Sequence, residues 1–205
     1  MGHSGFTYTY TYSTIAREYL SSIEQLIDDH AQAWDKLQDA TSKEDKLEKA
    51  VEVMTLGLDI EKKSLIVITF SAMAIEAYIY HYALEHFSGN FTERFLDKLD
   101  IVSKWVIIPQ LVTGKEFPRD GQAFQLLKEL VTERNKIIHH KSVVFPEDNL
   151  LQQERMLEIR DKRNELPDRA RKAVKTLDML ADEIHKLDGT TLSSLLLHYP
   201  LQIKK

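Results

Sequence analysis

The chain contains no cysteine, which excludes disulfide frameworks and thiolate metal sites and fits a reducing compartment. Glycine and proline are scarce, 7 and 5 in 205 residues. That is too few for a turn-rich β architecture and in keeping with long helices. Positive charge is not in excess, since the formal net charge is −5. A general polyanion binder would need many Lys and Arg contacts to phosphate, so only a local basic face stays open. The opening MGHSGFTYTYTYS has neither a basic start nor an apolar run, so no secretory signal is expected. His81 and His86 stand five apart with no third ligand in view, and no zinc site follows from them. There is no P-loop, Gly-rich dinucleotide turn or nucleophile elbow. The expectation is a protein without metal or cofactor.

What is present is a composition of 43% hydrophobic and 29% charged residues, enough for one sizeable core. The most apolar stretch, Leu65 to Leu84, is long enough to span a bilayer. It carries Glu76 and His81, however, and a carboxylate near mid-span is costly in lipid. It therefore reads as the central helix of a cytoplasmic bundle with no membrane partner. Glu76 in such a helix requires a partner or a wet rim. Arg134 is the proposed partner.

Along the chain, Phe6 to Tyr12 alternates Thr with aromatics, a period-two pattern that suggests an extended arm over residues 1–14. Ser13 or Thr14 would cap a helix from about Ile15 to Leu37. Thr41 with Glu44 resembles a capping box for a second helix that ends near Gly57. A third would run from Ile60 to Phe87. A short amphipathic helix follows from Phe91 to Leu99, then a segment from Ile101 to Leu111 bent or broken at Pro109. Thr113 to Gly121 reads as a loop, with Asp120 as a cap. Phe124 to Ser142 reads as one helix, Ser142 to Asn149 as a break. Two more helices lie on either side of Pro167, from Leu150 to Leu166 and from Asp168 to Leu187, with a last turn or two from Thr191 to Leu197. The fold class is all-α, one bundle-like domain over residues 15–205.

The Phe124–Ser142 helix buries Leu127, Leu130, Val131, Ile137 and Ile138 and ends on Arg134, Asn135, His139 and His140. At about 100° per residue, Asn135 and His139 lie nearly above one another. Arg134 stands about 140° round from His139. All three can border one cleft if it is broad or closed by a second chain, which points to a homodimer. Arg grips a phosphate with two hydrogen bonds, His moves protons near neutral pH, and Asn fixes the imidazole or holds an oxygen. The set suits metal-independent RNA cleavage by the neighbouring 2′-hydroxyl, with the guanidinium stabilising phosphoryl charge. His140 is a supporting candidate. Lys136, Lys141, Arg160 and Arg163 are candidate RNA contacts, the last two within a stretch from Arg160 to Lys175 that holds a local excess of four positive charges. The plain alternative is a solvated helix surface laced with salt bridges.

The pattern Arg134-Asn135-x-x-x-His139 resembles the signature of HEPN domains, small all-α domains common in bacterial toxin–antitoxin and antiviral systems. Phe70 to Tyr82 (FSAMAIEAYIYHY) resembles the first core helix of such a domain, and Leu126 to Ser142 (LLKELVTERNKIIHHKS) the helix that holds the motif. The likeness covers roughly Leu58 to Asp188. It implies a HEPN-like helical bundle with extra N- and C-terminal helices, a dimer, and in many members an endoribonuclease using the motif's Arg and His. An antitoxin partner is implied for toxin members. Those paired with nucleotidyltransferase antitoxins carry a Tyr two places after the His, where this chain has Lys141. Other members are inactive scaffolds, so the alternative function is a non-catalytic helical nucleotide-binding or protein-interaction domain.

Overall fold

The computed structural model describes residues 8–139 and 149–189, with the side chains of 149–155 left aside. Every regular element among the described residues is helical, as the composition requires. Helix α1 (Thr9–Asp39) and the 44-residue α2 (Lys43–His86) form a long antiparallel hairpin. A short turn α3 (Gly89–Phe91) runs into a π-helical segment (Thr92–Leu96), followed by α4 (Ile101–Thr113), α5 (Gln122–Ile138), α6 (Asn149–Asn164) and α7 (Leu166–Asp188). Helix α7 packs on α2, α1 and α5, and α4 and α5 complete the cover of α2's C-terminal half.

The core follows from α2's composition. Ile75, Tyr78, Ile79 and Tyr82 are fully buried, on a helix apolar nearly all round. Tyr78 stacks on Trp105 of α4 with ring centroids 5.5 Å apart, and Phe117 from the loop meets the same indole edge-on at 6.3 Å. Burial pushes the Tyr78 hydroxyl far above its usual pKa, with the Asp188 charge adding to the effect. The nearly buried Lys104 is satisfied by Asp97, 2.8 Å away, as a buried ammonium must be. Gly114 and Gly189 both adopt φ 71° at helix ends, the left-handed cap that stops α4 and α7. Among the described residues one helix, α2, is long and apolar enough to cross a membrane, and half of its most apolar stretch is buried inside the bundle.

Several sequence expectations are corrected. Residues 9–14 are helical rather than an extended arm. Tyr8 and Tyr12 stack at i,i+4 (5.7 Å) and Tyr12 meets Phe70 edge-on at 5.7 Å, while the small Thr9 and Ser13 face inward. Ser13 is no cap; its hydroxyl donates to the Tyr10 carbonyl. The α2 cap is Ser42, which accepts from the Asp45 N–H at 3.1 Å, one residue beyond the expected Thr41. Gly57 ends nothing: α2 runs through it with the His30 ring 3.7 Å from where a Cβ would sit. Packing along α1 outweighs the ~1 kcal/mol that a mid-helix glycine costs. Helix α4 likewise continues through Pro109, and α5 starts at the uncapped Gly121 rather than at Asp120. The segments 142–148 and 191–197 lie outside the described residues.

Trp105 joins α2, α4 and the loop through one side chain. Trp105→Ala should lower the unfolding free energy by about 4 kcal/mol, measured by urea denaturation. A loss under about 1 kcal/mol would show that this indole is not central to the core.

Candidate functional site

Helix α5 turns Leu127 and Leu130 into the core and carries Arg134 two turns beyond Leu127, where the core gives out. Arg134 is half-exposed, while Asn135 and His139 are exposed. The Arg134 Nη1 donates to the Asn135 Oδ1 at 3.1 Å. The helix ends at Ile138, not at Ser142. His139 is its C-cap (φ −102°, ψ 28°), its backbone N–H still bonded to the Asn135 carbonyl at 3.0 Å. The expected stacking of positions 135 and 139 is thus closed by a backbone hydrogen bond, with the imidazole at the negative end of the helix dipole, where a cation is favoured. His140 and Lys141 lie outside the described residues.

The carboxylates near Arg134 are committed elsewhere. Glu133 accepts from Lys136 at 2.7 Å and from Arg169 of α7. Arg169 also holds Glu165 at 2.6 Å. Among the described residues Arg134 forms no ion pair; its one polar partner is the neutral Asn135 amide. Glu76 is half-buried on α2 and does not pair with Arg134, which corrects the sequence expectation. A partner across two helices depends on how they pack, and packing gives α5's acid to α7 instead.

A cleft of about 630 Å³ lies between α5 and α7 over Ile68 of α2. Its charged wall is made of Glu129, Glu133, Glu165, Asp168, Arg169, Arg171 and Lys172. Arg134 is not among its lining residues, because position 133, about 100° away on the helix, faces it instead. Arg171 reaches across to Glu24 of α1 with two hydrogen bonds, 2.7 and 2.8 Å, and to Asp168 at 2.6 Å. The hydrogen bond to Glu24 leads in raising the Arg171 pKa, and the bond from Arg171 holds Glu24 below the usual carboxylate range. The basic stretch from Arg160 to Lys175 is divided between α6 and α7, and its two central guanidiniums are spent on carboxylates. Arg160 lies 3.6 Å from Asp161, and Arg163 lies 3.4 Å from Glu61 of α2. The Arg160–Asp161 pair is exposed on both sides and weak enough to exchange for phosphate. The sequence signalled the local Glu165–Arg169 and Asp168–Arg171 spacings. Nothing in it signalled the cross-helix pairs.

No protein-family model, curated protein or solved structure matches the chain.

The Glu133 carboxyl gives this pairing a pH signature. Burial would raise its pKa, but the Lys136 hydrogen bond and the Arg169 and Lys136 charges outweigh burial and lower it. A lowered folded-state pKa adds stability that is present above the ordinary value of 4.5 and is lost as pH falls through the folded value. The melting temperature of the wild type should therefore drop more steeply than that of Glu133→Gln on acidification below that value. Parallel curves would mean that the pair contributes nothing to stability.

Proposed function

We propose that the chain is a HEPN-like, metal-independent endoribonuclease of toxin or phage-defence type, with Arg134 and His139 as its catalytic pair. The observation that carries this reading is that, among the described residues, Arg134 is a guanidinium without a carboxylate partner. The acid next to it in sequence is held by Arg169 and Lys136, so its charge is left for an anion, which it can grip through two parallel N–H groups. Asn135 orients it through a single hydrogen bond, leaving its other nitrogens available.

The chemistry is in-line attack of a ribose 2′-hydroxyl on the adjacent phosphorus. The P–O5′ bond breaks as the P–O2′ bond forms, giving a 2′,3′-cyclic phosphate and a 5′-hydroxyl. His139 takes the 2′-proton, or returns one to the departing O5′, from an exposed position that substrate can reach. Arg134 stabilises the charge gathered on the phosphoryl oxygens. A second copy meeting the exposed Ile138, Asn135 and His139 would set two guanidiniums and two imidazoles around one groove. Lys136, Arg160 and Arg163 are then in reserve as contacts to the RNA backbone.

The exposed setting of His139 favours a second reading, in which Arg134 and Asn135 hold a nucleotide phosphate without turnover. One experiment separates the two. Purified wild type should cleave single-stranded RNA in the presence of EDTA and leave cyclic phosphate ends. Arg134→Ala and His139→Ala should each lower the rate at least ~100-fold with unchanged helical circular dichroism. RNA that is bound but never cut by the wild type would establish the binding reading, and a His139→Ala variant as fast as wild type would remove the imidazole from the mechanism.

A further inference from the structure

The cleft between α5 and α7 holds two charges that the rest of the described chain does not use. The two helices run antiparallel along it. Glu133 near the end of α5 meets Arg169 near the start of α7. At the other end of α5, Phe124 packs on Phe117, in the same loop as Lys115, whose ammonium donates to the Leu187 carbonyl at the end of α7. One helical turn back from Glu133 is Glu129, and one turn on from Arg169 is Lys172. Both line the cleft, so an acid on α5 and a base on α7 recur at the next level. There the pair stays open. Both residues are exposed, and among the described residues neither side chain forms an ion pair or a hydrogen bond. Their own helices offer no substitute. Asp168, four residues before Lys172, is already paired with Arg171 at 2.6 Å. Glu133, four residues after Glu129, is another acid, and like charges at that spacing repel.

We propose that the cleft is a binding site for a small zwitterion, an α-amino acid or a dipeptide. Its ammonium sits on Glu129 and its carboxylate on Lys172, with its apolar part over Leu126 and Leu130. This site is separate from the α5 tip and does not rest on the chemistry assigned there. Charge selects the ligand. Four carboxylates and three cations line the cleft, a setting that disfavours a phosphate-rich anion, while a polyamine would set like charge against Lys172. A molecule with one charge of each sign meets both open side chains and adds no net charge. The cavity of about 630 Å³ is of the size that takes small molecules. Its walls are fixed by the Glu133–Arg169 and Arg171–Glu24 pairs, so binding has little ordering left to drive.

The full chain should be tested by thermal shift with each proteinogenic α-amino acid and, separately, with glycyl-leucine and leucyl-leucine. A dipeptide holds its two charges about 3.5 Å farther apart than an amino acid, so the better class reports the gap between Glu129 and Lys172. At saturation at least one of these probes should raise the melting temperature by roughly 5 °C. The Kd of the best one, read by calorimetry, should rise at least ~10-fold in Glu129→Gln and in Lys172→Gln, with the melting temperature of the unliganded protein unchanged. Its N-acetyl form, which has no ammonium, should bind the wild type at least ~10-fold more weakly, and Glu129→Gln should weaken that form no further. No shift with any probe would overturn the proposal. So would a Kd that either Gln variant leaves unchanged, or an N-acetyl form that binds as tightly as the free amine.

Discussion

The structure depends on keeping one long apolar helix out of water. Helix α2 spans about 66 Å at the helical rise, and its C-terminal half carries more buried side-chain volume than any single neighbour can cover. Helices α4, α5 and α7 each take one side of it, and α1 runs antiparallel along most of its length. The stacked Tyr78 and Trp105 rings fix the depth at which α4 sits. The Tyr82 hydroxyl, donating to Asp188, fixes the end of α7. With those two helices placed, α5 has one remaining groove, and its position follows.

Charge allocation then decides what α5 can do at its end. Burying Leu127 and Leu130 orients the helix, but a smooth apolar contact leaves rotation soft. The Glu133–Arg169 bond between α5 and α7 removes that freedom. It also acts on chemistry, because the acid that could have neutralised Arg134 in an exposed intrahelical contact is taken by another helix. Similarly, Arg171 is drawn into Glu24 and Asp168, so the basic stretch after Arg160 offers less charge to an incoming anion than its composition suggests. At α5's tip Arg134 forms no ion pair among the described residues, its polar partner being the neutral Asn135 amide.

Much of this was legible from residue order and some was not, for identifiable reasons. The all-α class, the stop at Gly189 and the turn at Pro167 came from glycine and proline chemistry that acts locally. The adjacency of Arg134 to Asn135 and the reach of His139 back to the Asn135 carbonyl came from helical spacing alone. The Thr-Tyr stretch misled because a short alternation also places Tyr8 and Tyr12 four apart, and only the presence of Phe70 nearby shows that the helical option wins. Gly57 misled because its cost is local while the compensation from α1 is not. The partner of Glu76 was misassigned because any pairing between helices depends on their rotation, which no spacing encodes.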